Sequence, residues 1–310
     1  MIDLDLPKRY MIVDVSNLLH RTFYVHAKEP LDDLIGLAYK STFITLNKYY
    51  NDLRPDVVVL AFDGKNNWRK VYTASELCVS YRAYKGTRRQ NLTPSQRERY
   101  ELYLKFVDDF EDLLRTHTSI VCMKGEGLEA DDIISAFVEM YALNEKNMVT
   151  IISQDRDLYQ LLKNESVQII DPASKEIITN KKIDADFFLF EKLFRGDQSD
   201  NVQNAYPGIR KTTIEKAFVD SYTKTNLMKH TWTDINEKTY LVEDLFEENR
   251  LLMDLSQQPD YIRERMFEVV KKSFQERSKY SHFHFLGFVG KYNLREVSKK
   301  MDYLIPLLSS

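Results

Sequence analysis

The sequence predicts an α/β fold in which a central, mainly parallel sheet is flanked by helices. Short runs rich in β-branched residues, typical of buried strands, alternate with helical patterns from about Tyr10 to Asp171. Alternation of this kind implies parallel strands with helices on both faces of the sheet. After about Asp184 the strand pattern largely stops, so we expect a mostly helical second region.

The elements follow from these patterns in chain order. Five β-branched runs bounded by polar residues predict strands at residues 10–15, 57–62, 120–123, 149–153 and 167–171. Helical periodicity predicts helices at residues 34–53, 94–116, 129–143 and 157–163, and then at residues 183–195, 210–220, 240–256 and 259–274. In a sheet of this class, ligands bind at the carboxyl ends of the strands.

The composition is that of a folded globular protein, because 43% of the 310 residues are hydrophobic and 12% are aromatic. No apolar run approaches the ~20 residues that span a bilayer, and residues 1–9 lack the charged-then-apolar order of a signal peptide. Two cysteines, Cys78 and Cys122, cannot form a disulfide framework, so we expect a reducing cytoplasm. The sequence contains no catalytic triad, Walker loop or dinucleotide fingerprint, and its six histidines form no metal-ligand set.

The net charge of −3 does not exclude a nucleic-acid partner. Nine of the carboxylates are clustered in short motifs, and without them the rest of the chain carries a positive net charge. Divalent ions bound to that cluster would offset its charge. Electrostatic steering of a polyanion depends on where the charges lie rather than on their sum.

These nine carboxylates are the strongest functional signal in the chain. Several of their motifs end a predicted strand, so the carboxylates should meet at one edge of the sheet and raise one another's pKa unless a cation neutralises them. A hard divalent ion with oxygen ligands, Mg²⁺ or Mn²⁺, is the simplest solution, and two such ions suit phosphodiester hydrolysis. The nine are Asp14, Asp63, Glu129, Asp131, Asp132, Asp155, Asp157, Asp197 and Asp200.

Each acidic motif also has a purely structural interpretation. The acids at 129–132 open a helix, where carboxylates cap free N–H groups and favour the helix dipole. The pair at 155–157 is compatible with a turn, and the pair at 197–200 with a helix C-cap followed by an N-cap. Capping explains one or two acids but not three in four residues, nor the recurrence downstream. A metal role for the group is therefore the favoured interpretation.

Two basic segments point to nucleic acid. Residues 81–89 combine tyrosines, which can stack on unpaired bases, with cations that can hold phosphates. Residues 207–213 form a glycine turn before a predicted helix, where backbone N–H groups can face a phosphate. A solvated basic loop and ligand-free helix–turn–helix packing are the respective alternatives. The candidates are Arg82, Tyr84, Lys85, Arg88 and Arg89 in the first segment and Gly208, Arg210, Lys211 and Thr212 in the second.

Together, these motifs resemble those of the 5′-nuclease superfamily, which includes flap endonucleases and the 5′-exonuclease domains of bacterial DNA polymerase I. The matching blocks are Gly-Leu-Glu-Ala-Asp-Asp ending at Asp132, Ile-Ser-Gln-Asp-Arg-Asp ending at Asp157, Gly-Asp-Gln-Ser-Asp-Asn ending at Asn201, and Tyr84-Lys85 with Arg88. Length and spacing are most similar to the ribonuclease H of T-even-like bacteriophages. The similarity runs over at least residues 10–220 and more weakly to the C-terminus.

The resemblance implies a PIN-like 5′-nuclease core with a helical arch, and a C-terminal helical region that contains a helix–turn–helix duplex-binding element. The expected boundaries are 1–186 for the core, with the arch at about 81–105, and 187–310 for the helical DNA-binding region, with the helix–turn–helix at about 191–220. The family pattern Gly-Ile-Gly-x-Lys-Thr-Ala is one residue shorter here and carries Arg210 at the second glycine. An arginine there would alter or remove a monovalent-cation site and add a phosphate contact.

The resemblance also implies a role for each site residue. Asp14, Asp63, Glu129, Asp131 and Asp155 would hold or orient the first metal ion. Asp132, Asp157, Asp197 and Asp200 would serve the second, partly through waters. Lys85 would approach the scissile phosphate, Tyr84 would stack on a base and Arg88 would hold a phosphate. The expected catalytic set is Lys85, Asp14, Asp63, Asp131 and Asp155.

The resulting expectation is a divalent-metal-dependent 5′→3′ exonuclease and flap endonuclease. It would act on RNA–DNA hybrids and on duplex DNA with a 5′ end, nick or flap, and remove RNA primers during phage lagging-strand replication in the host cytoplasm. We expect a monomer with no membrane partner, and with a single-strand DNA-binding protein and a sliding clamp as candidate partners. The alternatives are a PIN-like endoribonuclease, a catalytically silent structure-specific DNA-binding protein and, more distantly, a phosphatase for small phosphate esters.

Overall fold

The computed structural model describes residues 7–87, 92–144 and 146–310. Its centre is a six-stranded sheet with the order β3-β2-β1-β4-β5-β6, in which the first five strands are parallel and β6 pairs antiparallel with β5. This confirms the predicted α/β class with a mainly parallel sheet. The strands are β1 Arg9–Asp14, β2 Val57–Phe62, β3 Val121–Lys124, β4 Met148–Ile152, β5 Val167–Ile170 and β6 Ile177–Ile178.

Helices cover both faces of this sheet, as a parallel sheet requires. Met11 and Val13 of β1 join one hydrophobic cluster, whereas Tyr10 and Ile12 join the other, because successive side chains of a strand point to opposite faces. The helices that precede residue 164 are α1 Val15–Val25, α2 Leu31–Leu53, α3 Trp68–Thr73, α4 Pro94–His117, α5 Ala130–Tyr141 and a 3₁₀ helix at Arg156–Lys163.

Local sequence explains where α4 and α5 begin. Thr93 and Gln96 form a reciprocal capping box at the start of α4, and Pro94 occupies the first helical position. Asp131 and Asp132 lie in the first turn of α5, where carboxylates interact favourably with the helix dipole. The structural interpretation of this motif is therefore satisfied, and it coexists with any further role.

The second half of the chain is mainly helical, with one small exception. A two-stranded antiparallel hairpin forms at residues 231–241, where no strand was predicted, and Tyr240 pairs with Trp232 within it. The helix predicted at 240–256 consequently begins at Val242. The elements are α6 Ala185–Arg195, α7 Lys211–Val219, α8 Ser221–Met228, β7 Thr231–Thr233, β8 Thr239–Leu241, α9 Val242–Met253, α10 Asp260–Gln275, α11 His282–Lys291, α12 Arg295–Lys299 and α13 Met301–Leu308.

The last helices return to the central sheet. Helix α10 packs against α5 and β3, while α11 and α13 contribute to the hydrophobic cluster formed by α1, α2 and α4. Helices α6 to α9 form a third cluster. The predicted division near residue 186 stays a prediction. Among the described residues, no helix has the length and apolarity required to cross a bilayer.

Candidate active site

Three of the predicted site residues lie at the carboxyl ends of adjacent strands. Asp14 is the last residue of β1, Asp63 directly follows β2, and Asp155 lies in the loop after β4. The Ser153 hydroxyl donates to Asp14 Oδ2 at 2.8 Å and accepts from the backbone N–H of Asp155 at 3.0 Å. The Ser16 hydroxyl donates to Asp63 Oδ2 at 2.5 Å. The structure therefore brings these carboxylates to the same edge of the sheet.

Negative charge accumulates at this edge. Asp14 is buried, and its burial, together with the neighbouring charges of Asp63 and Asp155, raises its pKa to about 7. Hydrogen bonds from Asn17 and Ser153 oppose this shift only in part. A carboxyl group in this position takes up a proton near neutral pH unless a cation approaches it.

The start of α5 adds three more carboxylates to the same region. Asp63 Oδ1 accepts the backbone N–H of Ala130 at 2.9 Å, which joins the β2 edge to this helix. Burial would raise the pKa of Glu129, but Lys85 and then Arg69 lower it to about 2. For Asp131, burial and the charge of Asp132 raise the pKa well above its usual range. The two acids thus differ because only Glu129 directly contacts the cations.

Asp132 points into the protein, where Arg69 of α3 meets it. The guanidinium donates to both carboxylate oxygens, at 2.8 and 2.9 Å, and both side chains are almost completely buried. Sequence reasoning missed Arg69, since nothing in the pattern of α3 marks this arginine as the buried one. The metal-binding role predicted for Asp132 stays a prediction.

Tyr84 and Lys85 also contact Glu129. The Tyr84 hydroxyl contacts Glu129 Oε2 at 3.0 Å and Asp200 Oδ2 at 2.8 Å. The Lys85 ammonium donates to Glu129 and lies 3.5 Å from Asp200 Oδ2. The Tyr84 ring is 5% exposed, so stacking on a base, which stays a prediction, would require the ring to leave this position.

The other two acids of the predicted second metal set surround Lys192 of α6. The Lys192 ammonium contacts Asp157 and lies 2.9 Å from Asp197 Oδ2. Burial raises the pKa of Asp157 to about 6 despite Lys192, whereas Lys192 overcomes the effect of burial at Asp197 and lowers its pKa to about 2. Lys192 was not predicted, and the signal that was available is a lysine within the aromatic-rich pattern of α6.

The donor chemistry fits hard divalent ions, although the acids are held apart by cations. Within residues 7–87, 92–144 and 146–310, no three histidine, cysteine, aspartate or glutamate side chains are grouped closely enough to hold a metal ion as they stand. Three cations, Arg69, Lys85 and Lys192, lie among the carboxylates instead. Carboxylate oxygens are nevertheless the ligands that Mg²⁺ and Mn²⁺ prefer. The raised pKa values of Asp14 and Asp131 mean that a further cation at this site would stabilise their ionised forms.

The residues predicted to form a helix–turn–helix belong to α6, the segment 196–210 and α7, and the motif itself stays a prediction. Gly208 has a φ of 73°, a conformation that favours glycine, and is exposed just before the helix. Arg210, Lys211 and Thr212 are exposed at the start of α7, and no side chain caps that end. A role of this element in binding a duplex stays a prediction.

The predicted arch is described only in part. Residues 81–87 form an irregular turn rather than a helix, and Arg82 is exposed to solvent. Helix α4 begins at Pro94, within the predicted arch. Arg88 and Arg89 lie outside the described residues. The Val79 and Ser80 N–H groups donate to the buried Glu248 of α9, the latter at 3.1 Å, so the helical region holds the base of this segment.

Comparisons with known proteins agree with this architecture. The model of the 5′–3′ exonuclease N-terminal resolvase-like domain matches residues 9–188. The 5′–3′ exonuclease of Mycoplasmopsis pulmonis is 27% identical over 244 residues, which cover 71% of this chain and 72% of that protein. Ribonuclease H of Enterobacteria phage T4 is 25% identical over 275 residues, which cover 84% of this chain and 86% of that protein. DNA polymerase I of Thermus thermophilus is 30% identical over 249 residues, but these cover only 26% of the polymerase.

Solved structures show the same fold. A bacteriophage T5 protein co-crystallised with metal ions superposes with a TM-score of 0.65 at 17% identity, over 86% of this chain and all of that one. A T5 flap endonuclease in a pseudo-enzyme–product complex with DNA and metal ions gives a TM-score of 0.63. The family match covers more than half of the chain and confirms the resemblance drawn from the acidic motifs. The chain belongs to the 5′–3′ exonuclease family, and it is accordingly a nuclease that hydrolyses phosphodiester bonds.

Proposed function

We propose that this chain is a divalent-metal-dependent 5′→3′ exonuclease and flap endonuclease that acts on RNA–DNA hybrids and on the 5′ ends of duplex DNA. Removal of RNA primers during phage lagging-strand replication is the role we assign to it. The observation that carries the proposal is the convergence of Asp14, Asp63 and Asp155 with the acidic start of α5 at one edge of the sheet. The match to phage T4 ribonuclease H over most of both chains supports the choice of RNA–DNA hybrid as a substrate.

We assign the carboxylates to two ions. Asp14, Asp63, Glu129, Asp131 and Asp155 would hold the first, and Asp132, Asp157, Asp197 and Asp200 the second. Bound divalent ions lower the pKa of water and stabilise charge on the oxygens of the transferred phosphate. The protein's own contribution is to hold these acids in place. The raised pKa of Asp14 supports a bound cation, since burial and the charges of Asp63 and Asp155 disfavour the ionised form until positive charge is added.

Lys85 supplies the fixed positive charge at the phosphate. Its ammonium contacts Glu129 and Asp200, which belong to the two proposed metal sets, so it lies where both would meet. Although burial alone would lower its pKa, Glu129 and Asp200 raise it above the ordinary value, and the side chain stays cationic at any pH of interest. A preorganised cation of this kind stabilises the charge that develops on a phosphate in the transition state.

The exposed start of α7 would bind the duplex. Its uncapped N–H groups together with Arg210 and Lys211 suit a backbone phosphate. This contact would orient the duplex while the arch segment engages the 5′ strand. Its contribution would be to affinity and positioning rather than to the chemical step.

The test is cleavage of a 5′-labelled RNA annealed to DNA, beside an all-DNA 5′ flap, with Mg²⁺ and with EDTA. Short Mg²⁺-dependent products from the 5′ end are expected with both substrates, and their relative rates separate primer removal from flap cutting. Asp155→Asn should lose several orders of magnitude in rate while the fold stays intact. Asp171→Asn is the matched control, because Asp171 directly follows β5 at the same edge but belongs to neither metal set.

Two results would contradict the proposal in different ways. Wild-type turnover by Asp155→Asn in Mg²⁺ would remove Asp155 from the metal ligands. Tight, structure-selective DNA binding by the wild-type protein without any cleavage would instead favour a catalytically silent binding protein.

A further inference from the structure

Among the described residues, Arg69 is by volume the largest fully buried side chain, with 1% of its surface exposed. Its guanidinium donates through Nε to the Leu252 carbonyl at 2.7 Å, and through both terminal nitrogens to Asp132. A third contact, at 3.3 Å, reaches Glu129 Oε2. The Trp68 ring lies 4.6 Å from the guanidinium carbon. An arginine is this deeply buried only when its charge and donors are matched, and here three elements supply the partners.

Asp132 has no capacity left for another ligand. Its Oδ2 accepts from Arg69, from the backbone N–H of Glu129 at 3.1 Å and from Trp68 Nε1 at 3.3 Å. Its Oδ1 accepts from Arg69 and from Gln258 Nε2 at 3.3 Å. A carboxylate offers about four lone-pair sites, so five donors saturate it. Asp132 is also completely inaccessible to solvent, unlike Asp63 and Asp155.

Glu129 connects this buried pair to the proposed catalytic groups. Its Oε2 accepts from Arg69 and from the Tyr84 hydroxyl, while Oε1 accepts from Lys85. Arg69 therefore restrains the carboxylate that Lys85 also contacts. Its bond to Leu252 near the end of α9 fixes the guanidinium from the helical region.

We propose that Arg69 is a positioning residue that holds Glu129 in its working orientation through the buried pair with Asp132. Asp132 is then the anchor of Arg69 and not a ligand of the second ion. This inference rests on the proposed function, since Glu129 matters in this way only if it serves the metal-dependent reaction. It revises one member of the second metal set and adds a residue that no motif indicated.

The experiment compares Arg69→Lys, Arg69→Gln, Asp132→Asn and the double variant Arg69→Gln with Asp132→Asn. Mn²⁺ affinity and the number of bound ions are measured on the protein without nucleic acid, from the decrease of the electron paramagnetic resonance signal of free Mn²⁺. Single-turnover rate, substrate Kd and melting temperature complete the set. Arg263→Gln is the control, because Arg263 pairs with Glu139 near the surface, through one terminal nitrogen that donates to both carboxylate oxygens.

We expect Arg69→Gln to weaken Mn²⁺ binding several-fold and to lower the single-turnover rate by about 100-fold, the effect of a small misplacement at a catalytic centre. The substrate Kd should change little, and Arg69→Lys should recover part of the rate. Asp132→Asn should retain the wild-type number of bound Mn²⁺ ions. Because the two residues act as one pair, the double variant should be no worse than the poorer single variant. Arg263→Gln should match the wild-type protein.

Loss of one bound Mn²⁺ ion in Asp132→Asn would make Asp132 a ligand and overturn the inference. So would wild-type Mn²⁺ affinity and rate in Arg69→Gln, or, should that variant fail to fold, in Arg69→Lys. If the wild-type protein itself neither binds Mn²⁺ nor cleaves, the proposed function fails first and the inference falls with it. If it does both while the Arg69 variants match it, only the inference fails.

Discussion

Among the described residues of the site, Lys85 is the one whose replacement should best distinguish an effect on the chemical step from an effect on substrate binding. Its backbone is in a left-handed conformation, with a φ of 54°, and its N–H donates to the Asp200 carbonyl at 2.8 Å. The ammonium is held by Glu129 and Asp200. A non-glycine residue in this conformation is costly unless its surroundings fix it, which is common at functional sites. The local backbone therefore fixes the Lys85 ammonium beside Glu129 and Asp200.

Lys85→Ala should reduce the single-turnover rate far more than substrate affinity. Loss of one preorganised charge at a reacting phosphate costs about 100- to 1000-fold in rate, whereas the remaining cations of the interface maintain binding. The measurement is single-turnover cleavage of the flap substrate alongside a binding titration in Ca²⁺. Lys182→Ala removes a surface lysine paired with Glu176 and serves as the control. Unchanged chemistry with only looser binding would reassign Lys85 to phosphate positioning.

Asp14 should make the stability of the metal-free protein depend on pH. Its pKa rises from 3.8 to about 7 because of burial and then the charge of Asp63. Between these values the folded state binds more protons than the unfolded state, so the free energy of unfolding falls as the pH rises from about 4 to about 7 and then levels off. At about 1.4 kcal/mol per pKa unit, the effect amounts to a few kcal/mol.

The difference in the free energy of unfolding between the wild-type protein and Asp14→Asn isolates the contribution of Asp14 from those of all other titrating groups. In EDTA, we expect the wild-type protein to lose stability relative to the variant between pH 4 and 7, and urea unfolding at a series of pH values measures it. A constant difference across this range would show that Asp14 ionises normally. Added Mg²⁺ should reverse the loss at pH 7, because an ion that binds only the folded state stabilises it.

At the scale of the element, the turn between α6 and α7 is the clearest departure from the family pattern. Arg210 precedes α7 with a φ of −76°, in extended backbone that glycine also adopts without strain. Its side chain makes no capping bond, and glycine at this position costs a helix only a few tenths of a kcal/mol relative to good caps. Replacement by glycine should therefore change the charge of the element and leave its structure intact.

Arg210→Gly should weaken duplex binding in a strongly salt-dependent way. If Arg210 contacts one phosphate, the slope of log K against log salt should fall by about 0.9, the value for one released counterion. The measurement is a binding titration with a nicked duplex at several salt concentrations. Lys299→Ala, which removes one charge from α12, controls for net charge. An unchanged slope would place Arg210 outside the interface.

Sequence patterns predicted the strands and the acidic edge well, because both depend on local order. Most strands of the parallel sheet are short runs rich in β-branched residues, and Asp14 and Asp63 lie where such runs end. The hairpin of β7 and β8 was missed because strands of three residues leave too little periodicity. The cations at Arg69 and Lys192 could not be predicted, since each meets its carboxylates only through tertiary packing.

At the scale of the whole molecule, the first strand and the last helix share one core. Leu304, Leu307 and Leu308 of α13 belong to the same buried cluster as Met11 and Val13 of β1. The Leu308 carbonyl also accepts the N–H of Ser119, just before β3. The last helix thus closes the face of the sheet formed by the first elements. Folding of the catalytic edge should therefore depend on residues close to the C-terminus.

Leu307→Ala tests this dependence. Leu307 is completely buried, and truncation of a buried leucine costs about 2–5 kcal/mol through lost transfer energy and the remaining cavity. Tyr303→Ala on the same helix is the control, because Tyr303 is 72% exposed and a surface change of this kind stays within about 0.5 kcal/mol.

Urea unfolding is followed by circular dichroism and by fluorescence of Trp68, which lies in the opposite cluster, and of Trp232 in the hairpin. In Leu307→Ala, the unfolding midpoints measured by circular dichroism and by tryptophan fluorescence should move together to lower urea concentration. Removing a contact in one shared core destabilises the whole sheet. An early transition seen by only one probe would instead mean that the C-terminal helices unfold as a separate unit.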